Sequence, residues 1–186
     1  MSTTTDTTNL PLAAGTWTID PVHSAVTFSV RHLGLAKVRG RFNDFGGTLT
    51  VESSLAETVV AADIDLSSVD TNNADRDGHL QGSDFFDAAT HPQMSFVSSG
   101  VSGSPDAYTL DGHLSINGTT KPVTLDVEFF GAETNPMDGT VRAGFAAAGS
   151  IARSDFGVSF EIPFGADKVA IGDKVNIELD IQLIAP

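Results

Sequence analysis

The chain of 186 residues contains no cysteine. That removes disulfides, zinc–thiolate sites and thiol nucleophiles together, and it fits a reducing compartment. Basic residues are scarce: ten Lys and Arg stand against 24 Asp and Glu, giving a formal net charge of −14 and a pI near 4.4. Phosphate backbones and anionic lipid surfaces both call for clustered cations, so the balance opposes them and nucleic acid is not an expected partner. No apolar run approaches the roughly 20 residues that cross a bilayer as a helix, so no transmembrane segment is expected. The amino terminus, Met1 to Asn9, is rich in Thr and lacks the basic start and apolar stretch of an export signal, which predicts a cytoplasmic location. Polar aromatics are nearly missing too, since one Trp and one Tyr accompany twelve Phe. Such a bias supplies large greasy surface with few polar handles, suited to a packed core or to a cavity lined for an apolar guest.

What remains is alternation. Val26, Phe28 and Val30 alternate with Thr27, Ser29 and Arg31, the period of two that sends one face of a strand to a core and the other to water. The stretch from Trp17 to Val51 reads as a strand, a reversal at His32-Leu33-Gly34-Leu35 and a returning strand. The pattern recurs at Val60, Ala62, Ile64 and Leu66, and again at Met94 and Phe96. The strongest hairpin places Tyr108, Leu110, Gly112, Leu114 and Ile116 opposite Val123, Leu125, Val127 and Phe129, with Asn117-Gly118 supplying positive φ in the turn. Val175, Ile177, Leu179, Ile181 and Leu183 form the clearest amphipathic strand. Ala143, Phe145 and Ala147 share one face of a strand whose other face is Gly144, Ala146 and Ala148. Small residues on both faces fill little volume, as expected beside a lumen or a bend. Between Asp70 and Thr90 the alternation fails and N-cap residues cluster, which predicts one or two short helices, weakened by Gly78. The length suits one domain, from residue 15 to 186, behind a flexible polar tail over 1–14. About eight strands joined mostly by short turns fit a closed antiparallel barrel or a two-sheet sandwich, and pattern alone does not separate them.

Constellations that would carry chemistry are weak. His23, His32, His79, His91 and His113 show no metal-ligand spacing. Asp63, Asp65, Asp70, Asp75 and Asp77 lack the glycine and terminal glutamate of a calcium loop and read as a solvated face. Asp20, His23 and Ser24 are the residue types of a hydrolase triad, yet adjacent residues of an extended segment project to opposite faces, which disfavours direct Ser–His activation. Neither a nucleophile elbow nor a phosphate loop is present. His32 keeps the parity of Val26, Phe28 and Val30, so it is either a polar group inside the barrel or a hydrogen-bonded histidine in a turn. Arg76 and Arg153 have Asp77, Asp84 and Asp155 nearby in sequence, which points to structural ion pairs more than to a ligand's head group.

Taken in order, Trp17-Thr18-Ile19-Asp20, His23-Ser24, Phe28, His32, Gly40-Arg41-Phe42 and Gly47 resemble the opening signature of the YceI-like family of lipocalin-like, polyisoprenoid-binding proteins. Arg76, His79-Leu80, Asp84-Phe85-Phe86-Asp87, Pro92, Phe96, Gly112-x-Leu114, Gly118, Gly149-x-Ile151-x-Arg153 and Phe156-Gly157 follow in the family's order and spacing. The resemblance runs from about Thr16 to Leu183, with His91 standing where the family has Tyr. It implies an all-β, eight-stranded antiparallel lipocalin-like barrel with one or two short helical inserts. Its elongated pocket would hold a long isoprenoid or similar amphiphile, such as an isoprenoid quinone, polyprenyl phosphate, fatty amide or fatty acid. It implies neither catalytic residues nor metal, no cofactor beyond the bound lipid, and a possible homodimer. The candidate ligand-binding residues are Phe28, His32, Phe42, Leu80, Phe85, Phe86, Met94, Phe96, Leu114, Phe129, Phe145 and Arg153. A structural or protein-binding β-domain with a filled core is the alternative, and an enzyme is a more distant one.

Overall fold

Residues 10–186 are described by a computed structural model. The alternating stretch at the start folds as one long, twice-bent hairpin. β1 (Gly15–Ile19) breaks at Asp20 and resumes as β2 (Ala25–His32); β3 (Ala36–Phe42) likewise bends into β4 (Phe45–Val51). Trp17 pairs with Leu49, and Phe28 with Gly40, so both halves belong to the same antiparallel ladder. Leu33 and Gly34 carry φ of 54° and 71° at the tip, and the Leu35 N–H donates to the His32 carbonyl at 2.9 Å. Two successive positive φ values match the right-handed twist of the flanking strands.

Strand β5 (Val59–Asp65) follows, then the two-residue β6 (Val69–Asp70), which pairs with the end of β3. Helix α1 (Ala74–Gln81) begins at Asn73, whose side chain accepts a hydrogen bond from the Arg76 N–H and so satisfies one free helix-end donor. Residues 82–90 form turns rather than a second helix, tied by backbone bonds such as Phe86 N–H to Leu80 O at 3.0 Å. The long strands β7 (Gln93–Ser104), β8 (Ala107–Ile116), β9 (Thr119–Thr134), β10 (Val141–Ala152) and β11 (Ile171–Ile184) complete the wall. Leu110 opposes Leu125 as the hairpin pattern requires.

Closure separates barrel from sandwich. The pairing order β1-β4-β5-β7-β8-β9-β10-β11 returns to β1 through Ile19 opposite Leu183, an eight-stranded antiparallel ring with no free edge. The hairpin arms β2 and β3 prolong the ring on one side, where β2 pairs with β11. The tail boundary expected at residue 14 does not hold for its carboxyl end. Leu10 is buried, Leu12 packs beside it, and the Trp17 indole N–H donates to the Ala13 carbonyl at 2.9 Å. An indole N–H enclosed at the floor of a barrel needs an acceptor, and residues 10–14 supply it. The rest of the expected tail, residues 1–9, lies outside the described residues.

Candidate ligand-binding lumen

The barrel encloses a cavity of about 530 Å³, inside the roughly 300–1,000 Å³ range of small-molecule sites. Its wall is built from the inner positions of the alternating strands: Val26, Phe28 and Val30 on β2, Met94 and Phe96 on β7, Leu110 and Leu114 on β8, and Val175 to Ile181 on β11. Two glycines explain why so many aromatics leave the middle open. A Cβ at Gly40 would lie 2.3 Å from Cζ of Phe28, and one at Gly112 would lie 2.3 Å from Cζ of Phe96. The tips of both rings therefore rest over bare backbone at the wall. On β10, Ala147 adds a small residue to the wall.

The two ends differ. At the floor, Leu10, Ile19, Leu49, Tyr108, Phe145 and Leu183 close the lumen beneath Trp17, which is 1% exposed. Tyr108 is 3% exposed, and its hydroxyl has no hydrogen-bond partner among the described residues. Burial pushes its phenol above the ordinary tyrosine range. At the mouth, Arg31 and His32 from the hairpin tip, Arg76 and His79 from α1, and Phe160, Ile162 and Ile171 form the rim. The His79 ring lies 2.8 Å from Asp84 and stacks edge-on against Phe85 and Phe160. Arg76 donates to the Thr71 side-chain hydroxyl at 2.7 Å and to its carbonyl at 2.8 Å.

The structure brings the sequence-derived candidates onto this wall with one exception. Phe28, Phe42, Leu80, Phe85, Phe86, Met94, Phe96, Leu114 and Phe145 all face the cavity, and His32 and Arg153 border it. Phe129 does not: it packs with the floor cluster, its ring centroid 4.9 Å from that of Phe145. Parity gives the side of a strand but not where along the strand the lumen stops. His32 is exposed at the rim, so it is not an enclosed polar group; its carbonyl, not its ring, closes the turn. Arg153 is 6% exposed and donates to the carbonyls of Gly172 (3.0 Å), Val158 (2.7 Å) and Ile171 (3.2 Å), with Glu161 at 3.7 Å. It pins the segment 153–158 to the start of β11, and neither it nor Arg76 pairs with the aspartates nearby in sequence. Sequence reasoning passed over Tyr108. Its signal was available: the one tyrosine, on the inner face of a strand, among twelve phenylalanines.

The triad-like residues resolve into structure. Asp20 accepts from the Val22 N–H, lies 2.7 Å from the His23 ring and takes a short hydrogen bond from Arg142. Burial pushes its carboxyl up, but these donors outweigh burial and hold it below the usual carboxylate range. Ser24 accepts from the Gln182 N–H at 3.0 Å, locked to β11 rather than to His23. The acidic run caps turns: Asp65 accepts from Ser67, and Asp77 from the Thr71 N–H and hydroxyl.

A profile described as a YceI-like domain matches residues 17–183. The chain is 41% identical over 141 residues to Protein YceI of Escherichia coli O157:H7, covering 75% of this chain and 73% of that protein. A UPF0312 protein of Pectobacterium atrosepticum is 40% identical over the same shares. Among solved structures, BcnA of Burkholderia cenocepacia superposes with a TM-score of 0.74 at 24% identity, covering 88% of this chain and 98% of that one. A polyisoprenoid binding domain from Saccharophagus degradans superposes with a TM-score of 0.67 at 17% identity, covering 91% and 98%. Ordered motifs, closed barrel and profile match agree that the chain belongs to the YceI-like family.

Proposed function

We propose that the protein binds a long-chain isoprenoid or similar amphiphilic lipid in the barrel lumen and shields it from water during transport or storage. The observation that carries this reading is the cavity itself, about 530 Å³ of enclosed space with an almost wholly apolar wall. Transferring one methylene out of water is worth about 0.8 kcal/mol, so a dozen enclosed carbons contribute about 10 kcal/mol. That exceeds the low end of what association and chain ordering cost. Shape and greasiness suffice, and no catalytic group is required. The open interior speaks against a filled-core β-domain. The polyisoprenoid binding domain among the structural neighbours supports the choice of isoprenoids as first probes.

The test is organic extraction and mass spectrometry of protein purified from its own cells, followed by uptake of added prenyl lipids. A stoichiometric long-chain lipid, or saturable uptake, is the expected result. A clean blank with no uptake overturns the proposal.

A further inference from the structure

Resting on that reading, we infer that the Tyr108 hydroxyl selects lipids carrying a neutral hydrogen-bond acceptor, such as a ketone, quinone, amide or ester oxygen, at the end that reaches the floor. Tyr108 lies in the lumen's apolar end, where it clusters with Leu10, Leu49 and Leu183, and the Trp17 N–H of the same cluster is already bonded to Ala13. Its oxygen is unpartnered among the described residues and covered by its neighbours, so an acceptor reaches it by parting the floor side chains. Phenylalanine would fill the same space without stranding a hydroxyl, and a stranded buried hydroxyl is unfavourable until something accepts from it. A guest bearing an acceptor removes that penalty; a pure hydrocarbon end keeps it. Charge narrows the class further. The cations of the lining, Arg31, Arg76 and Arg153, all belong to the mouth, so a phosphate at the floor would be an unpaired buried anion. Phosphorylated lipids are therefore excluded in the head-down orientation.

The experiment compares wild type with Tyr108→Phe, using a long-chain methyl ketone and the alkane of equal length, delivered in the same detergent and followed by Trp17 fluorescence. Tyr108→Phe is expected to bind the ketone about tenfold more weakly, the worth of one neutral hydrogen bond, and to bind the alkane as well as or better than wild type. Because Tyr108 is the single tyrosine, its ultraviolet difference band should shift with the ketone and not with the alkane. Equal loss of both probes, or no loss of either, overturns the selection role. Failure of wild type to take up either probe overturns the lipid-binding reading itself.

A second inference rests on the charge map. No carboxylate occurs between Asp20 and Asp44 in a chain with 24 of them, while Arg31, Lys37, Arg39 and Arg41 all fall there. Arg31 and Lys37 are direct cross-strand partners near the tip of the first hairpin, Arg39 follows them, and all three are exposed. Asp70 approaches Arg41 to 4.0 Å, whereas the other three have no ion pair among the described residues. At the tip, Leu33 is 37% and Leu35 81% exposed, and the Leu33 N–H bonds to Ala170 on the cavity rim. We infer that this tip docks the mouth of the lumen onto an anionic bilayer. Carboxylates of the −14 chain that lie more than a Debye length from the bilayer, about 8 Å at physiological salt, are screened from it, which leaves the tip's cations and two leucines to act at contact. Flotation with vesicles containing phosphatidylglycerol should capture the wild type, and phosphatidylcholine vesicles should not. Each cation is worth roughly fivefold, so Lys37→Glu/Arg39→Glu should abolish capture while leaving uptake of the ketone from detergent unchanged. Capture of the double variant at wild-type level, or absence of capture for wild type, overturns the docking surface.

Discussion

Replacing Gly40 with alanine should shrink the lumen through a single wall residue, Phe28, whose ring the new methyl group would displace. The added Cβ would stand 2.3 Å from Cζ, 2.7 Å from Cε1 and 3.0 Å from Cε2 of Phe28, so every close contact is with one ring and none with backbone. Carbon atoms rest about 3.5–4.0 Å apart, so the ring must retreat by at least about 1.2 Å, and the lumen that it lines has room to receive it. Overpacking of this kind costs about 1–3 kcal/mol, which for a chain of this length lowers Tm by roughly 2–12 °C. A ligand that loses room for two methylenes forfeits about 1.6 kcal/mol, roughly fifteenfold in affinity. The assay is displacement by a series of fatty acids or prenyl alcohols of increasing length, with the longest chains losing most. Adding Phe28→Leu to Gly40→Ala should restore both length tolerance and stability, because it removes the displaced ring. If Gly40→Ala leaves melting and the length profile as in wild type, rings resting over glycine are not what holds the lumen open.

Three further outcomes follow from named contacts. Phe96→Asp puts a carboxylate where a ring with 8% exposure now lies on the cavity wall, so both stability and lipid uptake should fall; unchanged melting and binding would refute the placement. Asp20→Asn removes a carboxylate held below its usual range, whose contribution is complete above its unfolded value near pH 3.9 and is lost as pH drops through the folded value. The variant should therefore be less stable than wild type at pH 7, by about 2 kcal/mol, with the gap closing below about pH 4; a constant gap in thermal melts across that range would contradict it. Arg153→Lys replaces a planar fork whose three nitrogens each donate to a different carbonyl with one point-like ammonium that cannot span them, so hydrogen exchange should accelerate in residues 153–158 and 171–172. Preference among lipid head groups should not change, and a switch in that preference would show that the guanidinium meets the ligand.

The walls of this barrel are written locally and its emptiness is not. Period-two alternation exposes the inner face of each strand, and the Asn117-Gly118 turn fixes one register outright, which is why Leu110 opposite Leu125 is legible from the chain alone. Closure is different, since it depends on Ile19 meeting Leu183, a pairing of chain ends that no local pattern announces. Parity also misplaces a residue once a strand outruns the cavity, as Phe129 does on the 16-residue β9. His32 and Arg153 border the lumen because each lies where a strand ends: the His32 ring is exposed at the rim, and neighbouring backbone carbonyls take the Arg153 donors. The vacancy itself arises from cross-strand pairs. A phenylalanine on one strand fills the barrel or lies along its wall according to whether the neighbouring strand offers a side chain or a glycine beside it, directly opposite as Gly40 is to Phe28, or on the diagonal as Gly112 is to Phe96. Gly40 and Gly112 read singly as weak points in strands. Paired with Phe28 and Phe96 they become the reason a phenylalanine-rich interior can remain a container, and that conclusion requires the register of two strands before it can be drawn.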